Sequence, residues 1–291
     1  MKGNDAGRLA VLALVATGAS GFGFPPPEAL ICPAKTELRR VGTRGDLSHE
    51  LHCARPDGTK HGPFRRSELG HREEGAYANG LQVGTWRAWY ENGKPYWRRH
   101  YVAGRLEGLE IEWDENGAID SRGSYRADKR EGVWLDTDIS ASGRGRYRND
   151  VREGPWSFRS DGHRIAAGAY RDGEPEGPWV YYWPGLGVES RGSFRRGEKH
   201  GLWRYYEPET DDRRVWLRIE IECRLGEAHG KYVELSAAGR IVNEGAFTDG
   251  HGIIGGPGPT FDGASLSSYE DWARNHCKIE DNDYRTARPD H

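Results

Sequence analysis

Gly84-Thr85-Trp86-Arg87-Ala88-Trp89-Tyr90-Glu91-Asn92-Gly93 is the stretch that decides the fold. A glycine opens it, a tryptophan follows two residues later, and Asn92-Gly93 closes it. Asn-Gly after an apolar run is a strong hairpin signal, because a tight primed turn needs positive φ at both central residues. Lys94 to Tyr101 then reads as the returning strand, and Val102-Ala103-Gly104 as the way out of it. The same glycine opening recurs at Gly62, Gly108, Gly132, Gly154, Gly177, Gly201 and Gly230. Successive openings are 22, 24, 24, 22, 23, 24 and 29 residues apart. A period of this size is the signature of a repeat architecture.

The second half of the unit has its own phrase. It reads Gly75-Ala76-Tyr77, Gly123-Ser124-Tyr125, Gly168-Ala169-Tyr170, Gly192-Ser193-Phe194 and Gly245-Ala246-Phe247. The bare glycine leaves room for a neighbouring ring to lie over the backbone. Three residues after the ring comes a second turn glycine, at Gly80, Gly104, Gly173, Gly197, Gly226 and Gly250. Asp128 and Asp150 stand there in two units, and Asp tolerates the left-handed region. Each unit is therefore a β-hairpin, and the hairpins run on as a meander. Pro63, Pro155 and Pro178 follow opening glycines, so they are expected at the first residue of a strand. A lone hairpin is marginal in water, but in a stack stability becomes a sum over neighbours. The expected fold is all-β: a single-layer antiparallel meander of about eight stacked hairpins with a short C-terminal helix. Sixteen strands at about 4.8 Å predict a ribbon on the order of 75 Å long.

Composition agrees. The 291 residues are 35 % hydrophobic and 30 % charged, yet include 41 Gly, 11 Trp and 14 Tyr. That suits thin β-structure that buries rings. The net charge of −3 argues against a nucleic-acid groove. Residues 1–21 read as a signal peptide, with Lys2 and Arg8 before the apolar run Leu9 to Ala16 and small residues Ala19, Ser20 and Gly21 after it. Residues 22–60 read as an N-terminal cap, 61–252 as the repeat array, and 253–291 as a tail with a capping helix. Ser267 or Ser268 would cap that helix near Tyr269 to His276. The implied location is the periplasm, cell envelope or extracellular space. Four cysteines permit three pairings. Position favours Cys32 with Cys53, pinning the start, and Cys223 with Cys277, holding the tail helix over the last repeats.

This pattern resembles the MORN repeat, in the longer variant common in bacterial proteins, some of them antitoxin-like. Trp86, Trp134, Trp156, Trp179 and Trp203 carry the resemblance, with the Gly-x-ring phrases, over residues 61–252. It implies a surface for protein interaction, or in some cases phospholipid contact, and no catalytic residues.

Departures from the repeat are the candidate sites. Glu110 stands where neighbouring repeats have Trp86 and Trp134. Glu112 and Asp114 follow on the same strand face, and Asp136 and Asp138 hold the corresponding rows of the next repeat. They form either an acidic patch for a cation or basic partner, or a solvated face neutralised by Arg122 and Arg126. Calcium would need six to eight oxygens. Paired acids can hydrolyse glycosides, but acid–base work needs a recess that shifts a pKa, and a one-layer sheet offers little. His49, His52 and Cys53 read as a loop with a disulfide rather than metal ligands. His61, His200 and His229 precede opening glycines and read as turn residues. No catalytic residue, cofactor or metal is expected.

The broader candidate is a ring row. Trp89, Trp113, Tyr182 and Tyr206 stand five residues after their opening glycines, at the opposite parity to Trp86, Trp156, Trp179 and Trp203. Trp, Tyr and Arg are the residues most enriched at binding hot spots. The seventh repeat is irregular: Glu207 to Arg214 lengthens its turn, and Cys223 takes the place of Phe194, facing the packed side. The expected function is an exported, non-enzymatic scaffold for protein–protein interaction. The alternatives are a membrane-surface or phospholipid-binding module, or an antitoxin-like neutraliser of a protein partner.

Overall fold

The computed structural model describes residues 30–42, 48–137, 141–209, 215–249, 251–253 and 275–278. Within them the chain forms one antiparallel sheet of 20 strands. The signal-peptide region, Asp138, the cap residues Ser267 and Ser268, Gly250 and most of the tail lie outside the described residues. Each strand pairs with its neighbours in sequence, from Glu37–Val41 at one edge to His251–Ile253 at the other. Among the described residues those two end strands pair on one side alone, so the sheet is open rather than closed into a barrel. The eight expected hairpins are all present. One strand is in two pieces, Arg105–Leu106 and Gly108–Trp113, both paired with Pro95–Val102. The strands beyond the eight hairpins are Glu37–Val41, Ser48–Ala54 and His251–Ile253. No helix among the described residues is long and apolar enough to cross a membrane.

The opening glycines do more than open strands. Every one has positive φ, between 68° and 114°. At Gly132 the register slips: Glu131 pairs with Ser124, but Leu135 pairs with Arg122. Four steps on one strand thus oppose two on its neighbour. That is a glycine bulge, which adds twist and re-aims the side chains after it. The same slip recurs around Gly62, Gly84, Gly154, Gly177, Gly201 and Gly230. At Gly108 it is the break at Glu107. Pro63, Pro155 and Pro178 therefore lie within strands, not at their first residues. The bulge has already removed the ladder bond that a proline cannot make.

The turn types also differ from expectation. Asn92-Gly93 and Asn116-Gly117 have positive φ at the glycine alone. In the first, Gly93 N–H donates to Tyr90 O at 2.9 Å and Lys94 N–H to Asn92 Oδ1 at 2.9 Å. Asp161-Gly162 has both residues positive, as a primed turn requires. The other turn series is uniformly primed, including Ala103-Gly104, Ala127-Asp128 and Arg196-Gly197.

The bulge lays each tryptophan flat on the strand before it. A Cβ built at Gly168 would fall 2.1 Å from Trp179, and at Gly123 2.0 Å from Trp134. Four of the indole N–H groups then donate to the carbonyl one residue past that glycine: Trp134 to Ser124, Trp156 to Arg146, Trp179 to Ala169 and Trp203 to Ser193, at 3.0–3.2 Å. The Gly-x-ring residues fill the gaps edge-on. Tyr125, Trp134, Tyr147, Trp156, Tyr170, Trp179, Phe194 and Trp203 form an unbroken ladder with centroids 5.1–6.1 Å apart. Edge-to-face pairs contribute about 0.5–1.5 kcal/mol each beyond burial. The core of this one-layer protein is that ladder.

Both disulfides pair as the sequence suggested, Cys32 with Cys53 and Cys223 with Cys277. They belong to a chain that folds where thiols oxidise. Cys223 is buried on the ladder face. Helix is described only over residues 275–277. His276 packs edge-on to Tyr205 at 4.8 Å, and its carbonyl accepts from Tyr205 Oη at 2.5 Å and Lys199 Nζ at 3.3 Å. The described end of the tail therefore sits on the ladder face of the seventh hairpin. There the strands lengthen, and Pro208 still pairs with Val215 on either side of the enlarged turn.

Candidate functional site

The ladder is interrupted between Tyr101 and Tyr125. Glu110 takes the tryptophan position there, and its residue is only 3 % exposed. The position beneath it, glycine in most repeats, is Arg99. Arg99 Nε donates to Glu110 Oε1 at 2.9 Å, and Nη2 to Glu112 Oε1 at 2.5 Å. Ser121 Oγ donates to the other oxygen of Glu112 at 3.3 Å. An indole-on-glycine contact has been replaced by a carboxylate-on-guanidinium contact at the same pair of positions. A second exchange of this kind lies further on, where Tyr232 replaces the tryptophan and Ile221 the glycine.

This corrects the sequence reading of the acids. Glu110 and Glu112 are together, but neither lies on a freely solvated face, and Arg99 rather than Arg122 or Arg126 pairs with both. Glu110 Oε2 is buried without a hydrogen-bond partner. Burial raises the Glu110 pKa, against the opposing pull of Arg99, and Glu112 beside it adds to the rise. Asp114 is not part of this group. It sits in the turn, where Oδ1 accepts the Ala118 N–H at 2.8 Å, and backbone donors hold its pKa down. Asp136 makes a separate cluster with Arg130 at 3.5 Å and the Tyr147 hydroxyl at 3.2 Å.

The ladder face differs between its two halves. The row four after each opening glycine decides it. In later hairpins this row holds Phe158, Tyr181 and Tyr205, which stack on Trp156, Trp179 and Trp203 at 21–29°. In earlier hairpins the same row holds Arg66, Ala88, Glu112 and Asp136. Without rings there, the face opens into a cavity of about 430 Å³ lined by Arg66, Glu73, His71, Tyr96, Trp97 and Arg99, with Ala88 also on its wall. Arg66 Nη2 donates to Glu73 Oε2 at 2.8 Å, and the Arg99 guanidinium lies 4.5 Å from the Trp97 ring. None of these lining residues stands out in the repeat pattern by its type alone. One signal was available: Arg99-His100-Tyr101 is a Gly-x-ring phrase with its glycine missing.

The other ring row lies on the reverse face. Tyr181 and Tyr205 belong to the ladder, so the adjacent Tyr182 and Tyr206 point the other way. Trp89, Trp113, Tyr182 and Tyr206 are all half-buried. Arginines stand over three of them: Arg72 over Trp89 at 4.3 Å, Arg164 over Tyr182 at 5.9 Å and Arg191 over Tyr206 at 5.5 Å. The structure thus separates the candidates into a reverse-face row and an acid pair on the ladder face.

Two of the candidate histidines have structural partners. His61 Nδ1 accepts the Asn79 N–H at 3.2 Å, the role that Glu107, Glu131, Glu153 and Glu176 play before their own glycines. His52 is buried, its Nδ1 lies 2.7 Å from Glu50, and burial lowers its pKa. Cys53 is in its disulfide.

No family model matches the chain, and no curated protein matches it. Among solved structures it is similar to a point mutant of S. aureus TarM crystallised with fondaparinux, alpha-GlcNAc-glycerol and UDP. The identity is 11 % and the TM-score 0.24, over 35 % of this chain and 20 % of that one. A second TarM crystal structure matches at 11 % identity and a TM-score of 0.23, over 35 % of this chain and 19 % of that one. The chain thus spans about a fifth of the length of the solved chains it matches.

Proposed function

We propose that this chain is an exported, non-catalytic scaffold of the MORN kind that binds a protein partner across the reverse face of its sheet. The observation that carries the reading is the row Trp89, Tyr182 and Tyr206, each with an arginine over its ring. The indole ladder on the other face already supplies the core, so this row is not needed for folding. Rings held by arginines are rigid and lose little entropy on binding, which is what hot-spot residues require. Arginines on this face stand beside carboxylates, as Arg65 does with Glu74 and Arg204 with Glu220. That favours a protein surface over an anionic membrane, where unpaired cations would be wanted.

The test is site-specific photocrosslinking in the native host, with fractionation of the product. A crosslinker at Tyr182 or Tyr206 is expected to trap one partner in an exported fraction, while one at the buried Phe158 traps none. Equal trapping at all three positions, or none at Tyr182 and Tyr206, would overturn the reading. Recovery of the chain in the cytosol would favour the neutraliser instead.

A further inference from the structure

We propose that the open cavity on the early half of the ladder face is a binding site for a neutral oligosaccharide. It opens toward the other face from the protein-binding row and shares one wall residue with it, Arg72, which also lies over Trp89.

Three observations carry the proposal. First, the cavity exists because one row changes character. Ala88 stands where later hairpins place Phe158 and Tyr181 and forms part of the wall, itself buried between Glu73 and Trp97 of the neighbouring strands. Second, rings line it. Tyr96 is 36 % exposed and is braced by Tyr90 at 4.6 Å and His71 at 5.6 Å. Trp97 is braced by Arg99. Braced rings make a flat platform. The C–H face of a pyranose carries slight positive charge and rests well on the negative face of a ring.

Third, the charges in the walls come as pairs. Arg66 holds Glu73, and Arg99 holds Glu110 and Glu112. A guanidinium has five donors and a carboxylate about four lone-pair sites, so an ion pair retains both kinds of hydrogen-bonding capacity side by side. Vicinal hydroxyls ask for that combination, each being donor and acceptor at once. An anion would have to compete with the resident carboxylates for the guanidinium groups. An apolar ligand would bury charges without reward. Paired charges beside rings suit an uncharged, polyhydroxylated ligand with one apolar face.

The cavity has room for about two sugar rings, which places the dissociation constant in the high micromolar to millimolar range typical of few-contact ligands. The test uses the full chain with both disulfides formed. An array of neutral, sulfated and phosphorylated oligosaccharides is screened with wild type, Trp97→Ala and Ala88→Phe. Hits are titrated calorimetrically at two salt concentrations. Ala88→Phe puts a ring into the cavity wall; Glu73 and Trp97 flank position 88 where Gly143 and Ala166 flank Phe158, so its folding is checked first. Circular dichroism and Tm confirm that each variant is folded.

The expected result is a neutral pyranose oligosaccharide whose affinity falls at least about tenfold in both variants and is unchanged between roughly 50 and 500 mM NaCl. No neutral oligosaccharide bound on the array overturns the proposal. So does binding that both folded variants retain. Binding confined to sulfated or phosphorylated glycans and abolished by salt would make the cavity a polyanion site and would equally overturn it.

Discussion

Glu110 and Arg99 show how one repeat can break the pattern without breaking the fold. A carboxylate is far smaller than an indole, and an arginine far larger than a glycine, so the exchange at both positions roughly conserves what fills the space. It also leaves a titratable group in the ladder. Burial raises the Glu110 pKa above its unfolded value of 4.5. The folded state therefore binds this proton more tightly than the unfolded chain. The stability it contributes is complete below the unfolded pKa and is lost as pH rises through the folded one. In Glu110→Gln that dependence is absent. Thermal melts from pH 4 to 8 should show the wild type losing ground to the variant as pH rises. Parallel curves would show that Glu110 titrates normally. The glutamate itself was legible in the sequence as a missing tryptophan. Its burial was not, because nothing in the spacing shows that the missing glycine at Arg99 answers it.

At the scale of the hairpin, the opening glycine is the controlling residue. Its period was readable, and so was the hairpin, but its conformation was not. Period alone cannot distinguish a glycine chosen for a turn from one chosen for a bulge. For the same reason the sequence alone places the prolines after Gly62, Gly154 and Gly177 at strand starts. Gly132 isolates the effect. Its φ is 79°, and a Cβ added there would meet nothing within 4 Å. Gly132→Ala should therefore cost about 1–2 kcal/mol from left-handed strain alone, with Gly132→Asn costing less. Urea unfolding measures both. Equal loss in the two variants would mean that crowding, not φ, sets the requirement. The turns carry a related lesson. Asn-Gly pointed to hairpins correctly, yet the primed geometry belongs mostly to the other turn series, where Ala, Arg and Leu accept positive φ because the sheet on both sides holds them.

Across the whole molecule, stability is distributed along the ladder, and the tail fastens one end of it. The Cys223–Cys277 bond closes a 54-residue separation, for which chain entropy predicts about 4 kcal/mol. In a repeat array that loss should stay local. Replacing both cysteines by serine should raise hydrogen exchange over residues 215–249 while leaving 60–137 protected. Uniform loss along the chain would show a cooperative unit larger than neighbouring hairpins. The disulfide pairing was legible because the repeat phase places Cys223 on the packed face. The open cavity was not, since it depends on how Arg66 and Glu73 of one hairpin meet Tyr96, Trp97 and Arg99 of the next.

The central claim is that positions 99 and 110 act as one unit, either indole on glycine or carboxylate on guanidinium. A double-mutant cycle of Arg99→Gly and Glu110→Trp, followed by urea unfolding, tests it most directly. Each single change should destabilise the protein by about 2 kcal/mol or more, the first by stranding a buried carboxyl and the second by overpacking. The double variant should recover to wild-type stability or better, a coupling of about 4 kcal/mol or more. Additive losses would contradict the account.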